Sequence, residues 1–223
     1  MTVPFADFSD VTPVRSADSF YSTTGKRLVD VALVLLAAPV VVPLLAVIIL
    51  ISWAESGSPL FIQRRIGRGA REFRCWKIRT MVKDADAVLA RLMAQNAAVA
   101  REWAVNQKLA RDPRITRFGR FLRKSSLDEL PQLLNVLNGT MSLVGPRPFT
   151  PEQKSLYAEG RADASYYSLR PGLSGLWQVS RRNAGSFGER AHYDEDYSIR
   201  MCLSFDLEIL WRTFAVVLRS TGL

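Results

Sequence analysis

Apolar positions along the chain form one long block and a series of shorter periodic stretches. From Val31 to Ala54 no residue is charged, and a run of that length and content fits a membrane-inserted helix. A soluble core helix of the same composition would need apolar cover on every side. Pro39 and Pro43 interrupt the run; each removes a backbone hydrogen bond and crowds the preceding turn, so the pattern predicts a sharp bend there. Lys26 and Arg27 stand before the block and Arg64, Arg65 and Arg68 after it. The positive-inside rule draws both flanks to the cytoplasmic face. A straight span cannot satisfy both, whereas a helix that enters, breaks at the prolines and returns can; an ordinary span with a proline kink is the other reading.

The remaining pattern is that of short elements. Met1 to Gly25 shows no period and reads as a tail, with Asp7 and Asp10 where a signal peptide would be basic. Leu60 to Met81 predicts two extended segments turning at Gly67-Arg68-Gly69. Val82 to Ala110, rich in Ala, Leu, Met, Gln and Arg, predicts one helix with a solvated charged face, and Asp112-Pro113 ends it with a turn. In Ile115 to Arg123, Phe118, Phe121 and Leu122 alternate with Arg117, Arg120 and Arg123, the pattern of an interfacial amphipathic helix. Pro151 to Tyr167 predicts a helix, Leu173 to Val179 an apolar strand, Ser186 to Ile199 a charged helix, and Leu203 to Leu218 a second amphipathic helix with Trp211 and Phe214 suited to a bilayer interface or a core.

Charge narrows the partners. The 223 residues carry a formal net charge of +9 and a pI near 10.0, a balance that favours phosphate-rich partners: nucleic acid, anionic lipid or nucleotide. Two cysteines, Cys75 and Cys202, are too few for a disulfide framework, and a single His192 excludes a multi-histidine metal site. The sequence contains no P-loop, G-x-G-x-x-G, H-E-x-x-H or G-x-S-x-G.

The stretch with the most chemistry is Arg123 to Pro148. An adjacent carboxylate pair, Asp128 and Glu129, follows Arg117, Arg120, Arg123 and Lys124 and precedes Gly145-Pro146-Arg147-Pro148, where two prolines stiffen the backbone around Arg147. Ser126 and Glu129 fit a capping box, which predicts a helix starting at the pair and running through Leu130, Leu133, Leu134 and Leu137, with Pro131 in its opening turn. Acids in a first helical turn are commonly caps. Here the surrounding cations predict lowered pKa values, ionised carboxylates, and a nucleophile or a ligand for a hard cation.

These residues resemble a known family. LRKSSLDELPQLLNVLNGTMSLVGPRP is similar to the core motif of the bacterial monotopic phosphoglycosyl transferases, and the likeness runs from about Lys26 to the C-terminus through KRLVDVALVLLAAPVVVPLL, FIQRRIGRGAREFRCWKIRTM, KLARDPRITRFGRFLRK and LRPGLSGLWQVSRRN. Several motifs in the right order are more specific than any one alone. The layout is most similar to members that start exopolysaccharide repeat units with a hexose 1-phosphate.

The resemblance implies a mostly α (α+β) monotopic membrane protein. It would have a mobile tail (1–25), a re-entrant helix broken at Pro39 and Pro43 (26–58), interfacial amphipathic helices, a small β element, and a catalytic domain (59–223) on the cytoplasmic face of the bacterial inner membrane. It implies transfer of a hexose 1-phosphate, galactose or glucose by layout, from a UDP-sugar to polyprenyl (undecaprenyl) phosphate with release of UMP. Asp128 would be the nucleophile of a covalent phosphosugar intermediate and Glu129 the ligand of Mg²⁺. Lys77, Arg79, Arg123 and Arg147 would hold phosphate, and Arg170 and the Trp177-Gln178 region would border the nucleotide. No nucleic acid is expected, and a homo-oligomer is left open. Three positions depart from the family pattern: Ala38 where serine is usual, Thr140 where an acid is usual, and Arg181 where glycine is usual. The alternative reading is a non-enzymatic adaptor that binds anionic lipid or nucleic acid through its basic face; it leaves the acidic pair among arginines unexplained.

Overall fold

The computed structural model describes residues 20–106, 109–154, 157, 163–180 and 188–218. Residues 1–19 of the expected tail, the middle of the expected helix at 151–167, and Arg181 lie outside them.

A π-type turn, Tyr21–Gly25, leads into α1, Lys26–Ser56, which stays helical through both prolines. It is the one described helix long and apolar enough to cross a membrane; at 31 residues it measures about 46 Å. Both of its ends are fastened to the same body. At the N-terminal end Lys26 Nζ meets Asp206 Oδ2 at 2.5 Å, Arg27 donates to the carbonyls of Val136 and Leu137, and Asp30 Oδ1 accepts the Leu143 N–H at 3.0 Å. At the C-terminal end Ile48 packs with Ile78 and Leu122, and Glu55 accepts from the Thr116 hydroxyl at 2.9 Å. Between these anchors Leu35, Leu36, Val40, Val42 and Val47 are exposed, an apolar surface larger than a protein leaves in water without purpose. Gly57 ends the helix in the left-handed conformation, φ 67°, which glycine adopts without steric cost.

The expected hairpin is present: β1 (Leu60–Ile66) and β2 (Glu72–Ile78) pair antiparallel from Leu60↔Ile78 to Ile66↔Glu72, turning through Gly69 at φ 67°. The helix expected over 82–110 is two, α2 (Ala85–Gln95) and α3 (Ala97–Asn106). Asn96 breaks it, because its Oδ1 accepts the N–H groups of Ala98 and Val99 at 2.9 and 3.3 Å and so caps a new helix. Next come α4 (Arg117–Ser125), a 3₁₀ turn (Leu127–Glu129), α5 (Gln132–Leu137) and the buried strand β3 (Ser142–Val144). After α6 (Asp163–Ser168), β4 (Gly172–Ser174) pairs parallel with β3.

The strand expected over Leu173–Val179 is therefore only its first part. From Leu176 to Ser180 the chain is the short helix α7, since a brief apolar run does not separate strand from helix by period. The charged helix α8 (Arg190–Arg200) and the amphipathic helix α9 (Leu203–Leu218) follow. On α9, Phe205 and Ile209 are buried while Leu203, Leu207, Trp211 and Phe214 are exposed along the other side, which removes Trp211 and Phe214 from the core.

Three apolar clusters hold the body together. The largest joins Val34 of α1 to Val136, Met141, Val144, Tyr197 and Ile209. A second stacks Phe149, Tyr157 and Tyr166. The third packs Ile48 of α1 against Ile78 and Leu122, with Leu127 and Leu130 on its edge.

Candidate active site

The third cluster positions the acidic pair. Leu127 and Leu130 pack against the cluster of Ile48, Ile78 and Leu122, while Asp128 and Glu129, between them, line a cavity of about 710 Å³. The reversal is made at Ser126, whose φ of 56° lies in the left-handed region, unusual for a residue with a side chain. Its N–H returns to the carbonyls of Leu122 and Arg123, closing α4. The expected capping box is consequently not formed: Ser126 is the C-terminal cap of α4, its side chain does not cap the turn holding the pair, and α5 begins only at Gln132, after Pro131.

Glu129 is the anchor of the site. Lys77 Nζ lies 2.8 Å and Arg147 Nη2 3.1 Å from its Oε1. Burial alone would raise its pKa, but the Arg147 and Lys77 charges outweigh burial and hold the carboxyl well below the usual carboxylate range. Glu129 in turn raises the pKa of Arg147.

Asp128 behaves oppositely. Burial first, and the charge of Glu129 second, push its pKa up to about 6 against the pull of Lys77, Arg123 and Arg147. The expectation that both carboxylates are held low is thus correct for Glu129 and wrong for Asp128. The cations nearest the pair are committed to its neighbour, and desolvation decides the outcome.

Of the expected phosphate-binding residues, Lys77, Arg79, Arg123 and Arg147 come together around this cavity. Arg123 Nε donates to Thr80 Oγ1 at 2.8 Å, and Arg79 Nε to the Ser58 carbonyl at 2.9 Å, so each guanidinium is braced from the body. Arg170 and Gln178 are not among the residues lining the cavity. Arg170 Nε bonds the Gly139 carbonyl at 3.1 Å, and the buried Gln178 bonds the Leu173 carbonyl at 3.3 Å; Trp177, beside Gln178, does line it.

Several lining residues were not legible as site residues. Arg65 bonds the Pro148 carbonyl at 2.9 Å, and Arg190 lies over the Trp177 ring, 4.1 Å from its centroid. Burial and then Arg147 lower the Arg190 pKa to about 10. Trp103 and Arg114 also line the cavity, from a stretch read as a helix with a solvated face and its closing turn. Arg65 and Arg190 sat in the sequence among many basic residues of a hairpin and a charged helix, and only long-range folding separates them from solvated neighbours.

The donor set suits Mg²⁺ rather than an all-protein cage. Among the described residues no group of three or more His, Cys, Asp or Glu side chains could hold a metal, yet Mg²⁺ commonly takes one or two carboxylates and completes its shell with substrate phosphates and water. Asp128 and Glu129, beside a cavity whose cations suit a substrate's phosphates, fit that requirement.

Comparison with known proteins bears on what the cavity acts upon. The family model described as bacterial sugar transferase matches residues 21–220. The chain is 41% identical over 198 residues to a UDP-galactose-lipid carrier transferase of Erwinia amylovora, covering 88% of this chain and 41% of that protein. It is 42% identical over 199 residues to the exopolysaccharide production protein ExoY of Sinorhizobium fredii, covering 89% of this chain and 87% of that one. To an undecaprenyl-phosphate galactose phosphotransferase of Salmonella typhimurium it is 44% identical over 169 residues, 75% of this chain and 35% of that protein. The chain thus spans less than half of the Erwinia and Salmonella relatives and most of ExoY.

Proposed function

Because the chain belongs to the bacterial sugar transferase family, we propose that it transfers a hexose 1-phosphate from a UDP-sugar to polyprenyl phosphate, releasing UMP. In this reading the reaction is the first membrane step of exopolysaccharide or related glycoconjugate synthesis. The names of relatives, which include UDP-galactose, UDP-glucose, UDP-N-acetylgalactosamine and undecaprenyl phosphate, support those substrate classes; galactose or glucose is the sugar in this reading.

The observation that carries the proposal is the pairing of an Asp128 carboxyl at pKa about 6 with a cation-lined cavity. Near neutral pH Asp128 is ionised and more basic than an ordinary aspartate, as a nucleophile requires. Its carboxylate oxygen attacks the sugar-proximal phosphorus; the new P–O bond forms as the bond to UMP breaks, and UMP leaves. A phosphate oxygen of the polyprenyl carrier then attacks the same phosphorus and returns Asp128 as the free carboxylate. Arg147 and Lys77 fix Glu129, and with Arg79 and Arg123 they offset the charge of two anionic substrates. Mg²⁺, held by Glu129 and the diphosphate oxygens, would supply further charge neutralisation.

The attachment of both ends of α1 to one body supports a re-entrant helix. A straight span would carry its two ends to opposite sides of the bilayer, about 30 Å of hydrocarbon apart. The exposed middle of α1 then enters one leaflet, and the basic flanks keep the cavity on the cytoplasmic face of the inner membrane. In this reading Asp128 lies beside the bilayer surface from which a polyprenyl phosphate arrives.

The test is to incubate the detergent-solubilised full chain with polyprenyl phosphate and, in turn, UDP-galactose, UDP-glucose and UDP-N-acetylgalactosamine. The expected result is UMP and a lipid-linked hexose with one of the first two, and none of either after EDTA treatment. Failure of every donor would contradict the proposal.

A further inference from the structure

The cavity has two unlike sides. Around Asp128 it is lined by cations, which suit phosphate. The side contributed by α2 and α3 carries Asp86 and Trp103. Those two helices pack on each other more than on the body, so the hairpin stands as an appended wall.

That wall is braced where it meets the cavity. The Arg114 guanidinium lies over the Trp103 ring, 5.0 Å from its centroid. Arg114 is itself buried and locked by two bonds to Asp112, at 2.8 and 2.7 Å. Arg114 also lines the cavity, and its fixed guanidinium stiffens the Trp103 ring at that wall. Asp86 is exposed on the first turn of α2. Apart from the pair at 128 and 129 it is the one carboxylate among the described residues lining the cavity.

A hexose carries no charge for the arginines to hold. It presents C–H faces that suit an aromatic ring and hydroxyls that suit a carboxylate acceptor. We infer that the α2–α3 hairpin reads the donor sugar, with Trp103 supporting the pyranose face and Asp86 accepting hydrogen bonds from its hydroxyls. This rests on the reading of the chain as a UDP-sugar transferase and extends it to the residues that set which sugar is taken. A polar group built to bond a substrate hydroxyl discriminates strongly against an analogue that places the hydroxyl elsewhere.

The experiment compares full-length wild type with Asp86→Asn and Trp103→Leu. It reads kcat/KM for UMP release from UDP-galactose and from UDP-glucose, and the inhibition constant of UDP, which lacks the sugar. The galactose-to-glucose ratio of kcat/KM is expected to change by roughly tenfold or more in each variant, with UDP inhibition within about twofold of wild type. A purely structural role would lower both rates together and leave the ratio alone. An unchanged ratio in Asp86→Asn, whose exposed position spares the core, overturns the inference even if Trp103→Leu fails to fold. A wild-type chain that releases UMP from neither donor overturns this inference, and the transferase reading with it if UDP-N-acetylgalactosamine also fails; turnover with an unchanged ratio overturns the inference alone.

Discussion

Glu129 Oε1 receives both Lys77 Nζ, at 2.8 Å, and Arg147 Nη2, at 3.1 Å, while among the described residues no ion pair falls on Asp128, its neighbour in sequence. Two carboxyls joined by one peptide bond are thereby split in character. One is held ionised far below the ordinary range, and the other is raised to about 6 by burial and by the first. Such divergence between adjacent acids separates an anchoring carboxylate from a reactive one.

The split predicts the pH profile. UMP release under single-turnover conditions should rise with pH through about 6 as Asp128 ionises. The stability consequence has the opposite sign. A carboxyl whose folded pKa is raised favours the fold while protonated, and that advantage is lost as pH climbs from about 4 to about 6. Asp128→Asn should therefore be more stable than wild type at pH 7.5, by roughly 1–3 kcal/mol, and no more stable below pH 4. Thermal unfolding at the two pH values checks this.

Glu129→Gln should do the reverse. It keeps the volume but removes the charge that satisfies Lys77 and Arg147, leaving two partly buried cations facing each other. A loss of roughly 2–4 kcal/mol is expected, with UMP release falling at least 100-fold. The wild-type contribution is present above the unfolded glutamate pKa and disappears only at strongly acid pH. A denaturant midpoint at pH 7 equal to wild type would refute the anchoring role.

Gly119 is required by close approach. A Cβ there would stand 2.1 Å from the Thr80 carbonyl oxygen, and Thr80 Oγ1 is what braces Arg123. An alanine inside a helix normally stabilises by roughly 1 kcal/mol over glycine. Gly119→Ala should instead destabilise by roughly 2 kcal/mol or more and raise the KM for the acceptor as Arg123 shifts. Equal or greater stability in an unfolding assay would contradict the packing described.

Asp206 fastens the start of α1. It accepts from Lys26 Nζ at 2.5 Å, Tyr21 Oη at 2.6 Å and Tyr197 Oη at 2.7 Å. Asp206→Ala leaves the buried Lys26 charge unpaired and should cost roughly 3–5 kcal/mol. Replacing both partners, Lys26→Met with Asp206→Leu, should recover part of that loss, because the paired charges leave together while the buried Asp30 carboxyl loses the Lys26 charge beside it. Limited proteolysis at the start of α1 reads both effects.

How much of this was legible in the sequence follows from the range of the forces involved. The uncharged block of α1 and the turn at Gly67 and Gly69 are local signals; the turn is where it was expected, and the block is helical, but it runs unbroken through Pro39 and Pro43 where a break was expected. The acidic pair among arginines was also local, and it lines the cavity with Lys77, Arg79, Arg123 and Arg147. The break at Asn96 was readable in principle, since asparagine is a strong cap, but the apolar period on either side masks it. The left-handed turn at Ser126 was not readable: S-x-x-E matches a capping box, and the packing of Leu127 and Leu130 against the Ile48, Ile78 and Leu122 cluster joins segments distant in sequence. The β3–β4 pairing and the positions of Arg65, Arg114 and Arg190 depend on contacts between distant segments, which no local pattern records.

The central claim is that Asp128 takes up the sugar phosphate. The direct measurement is intact and peptide mass spectrometry of the full chain after UDP-hexose is added without polyprenyl phosphate. The account predicts a mass increase of one hexose phosphate, localised to the peptide carrying Asp128, discharged when the carrier is added and absent in Asp128→Asn. Turnover to lipid-linked product with no adduct at any time, or an adduct on another residue, would contradict it.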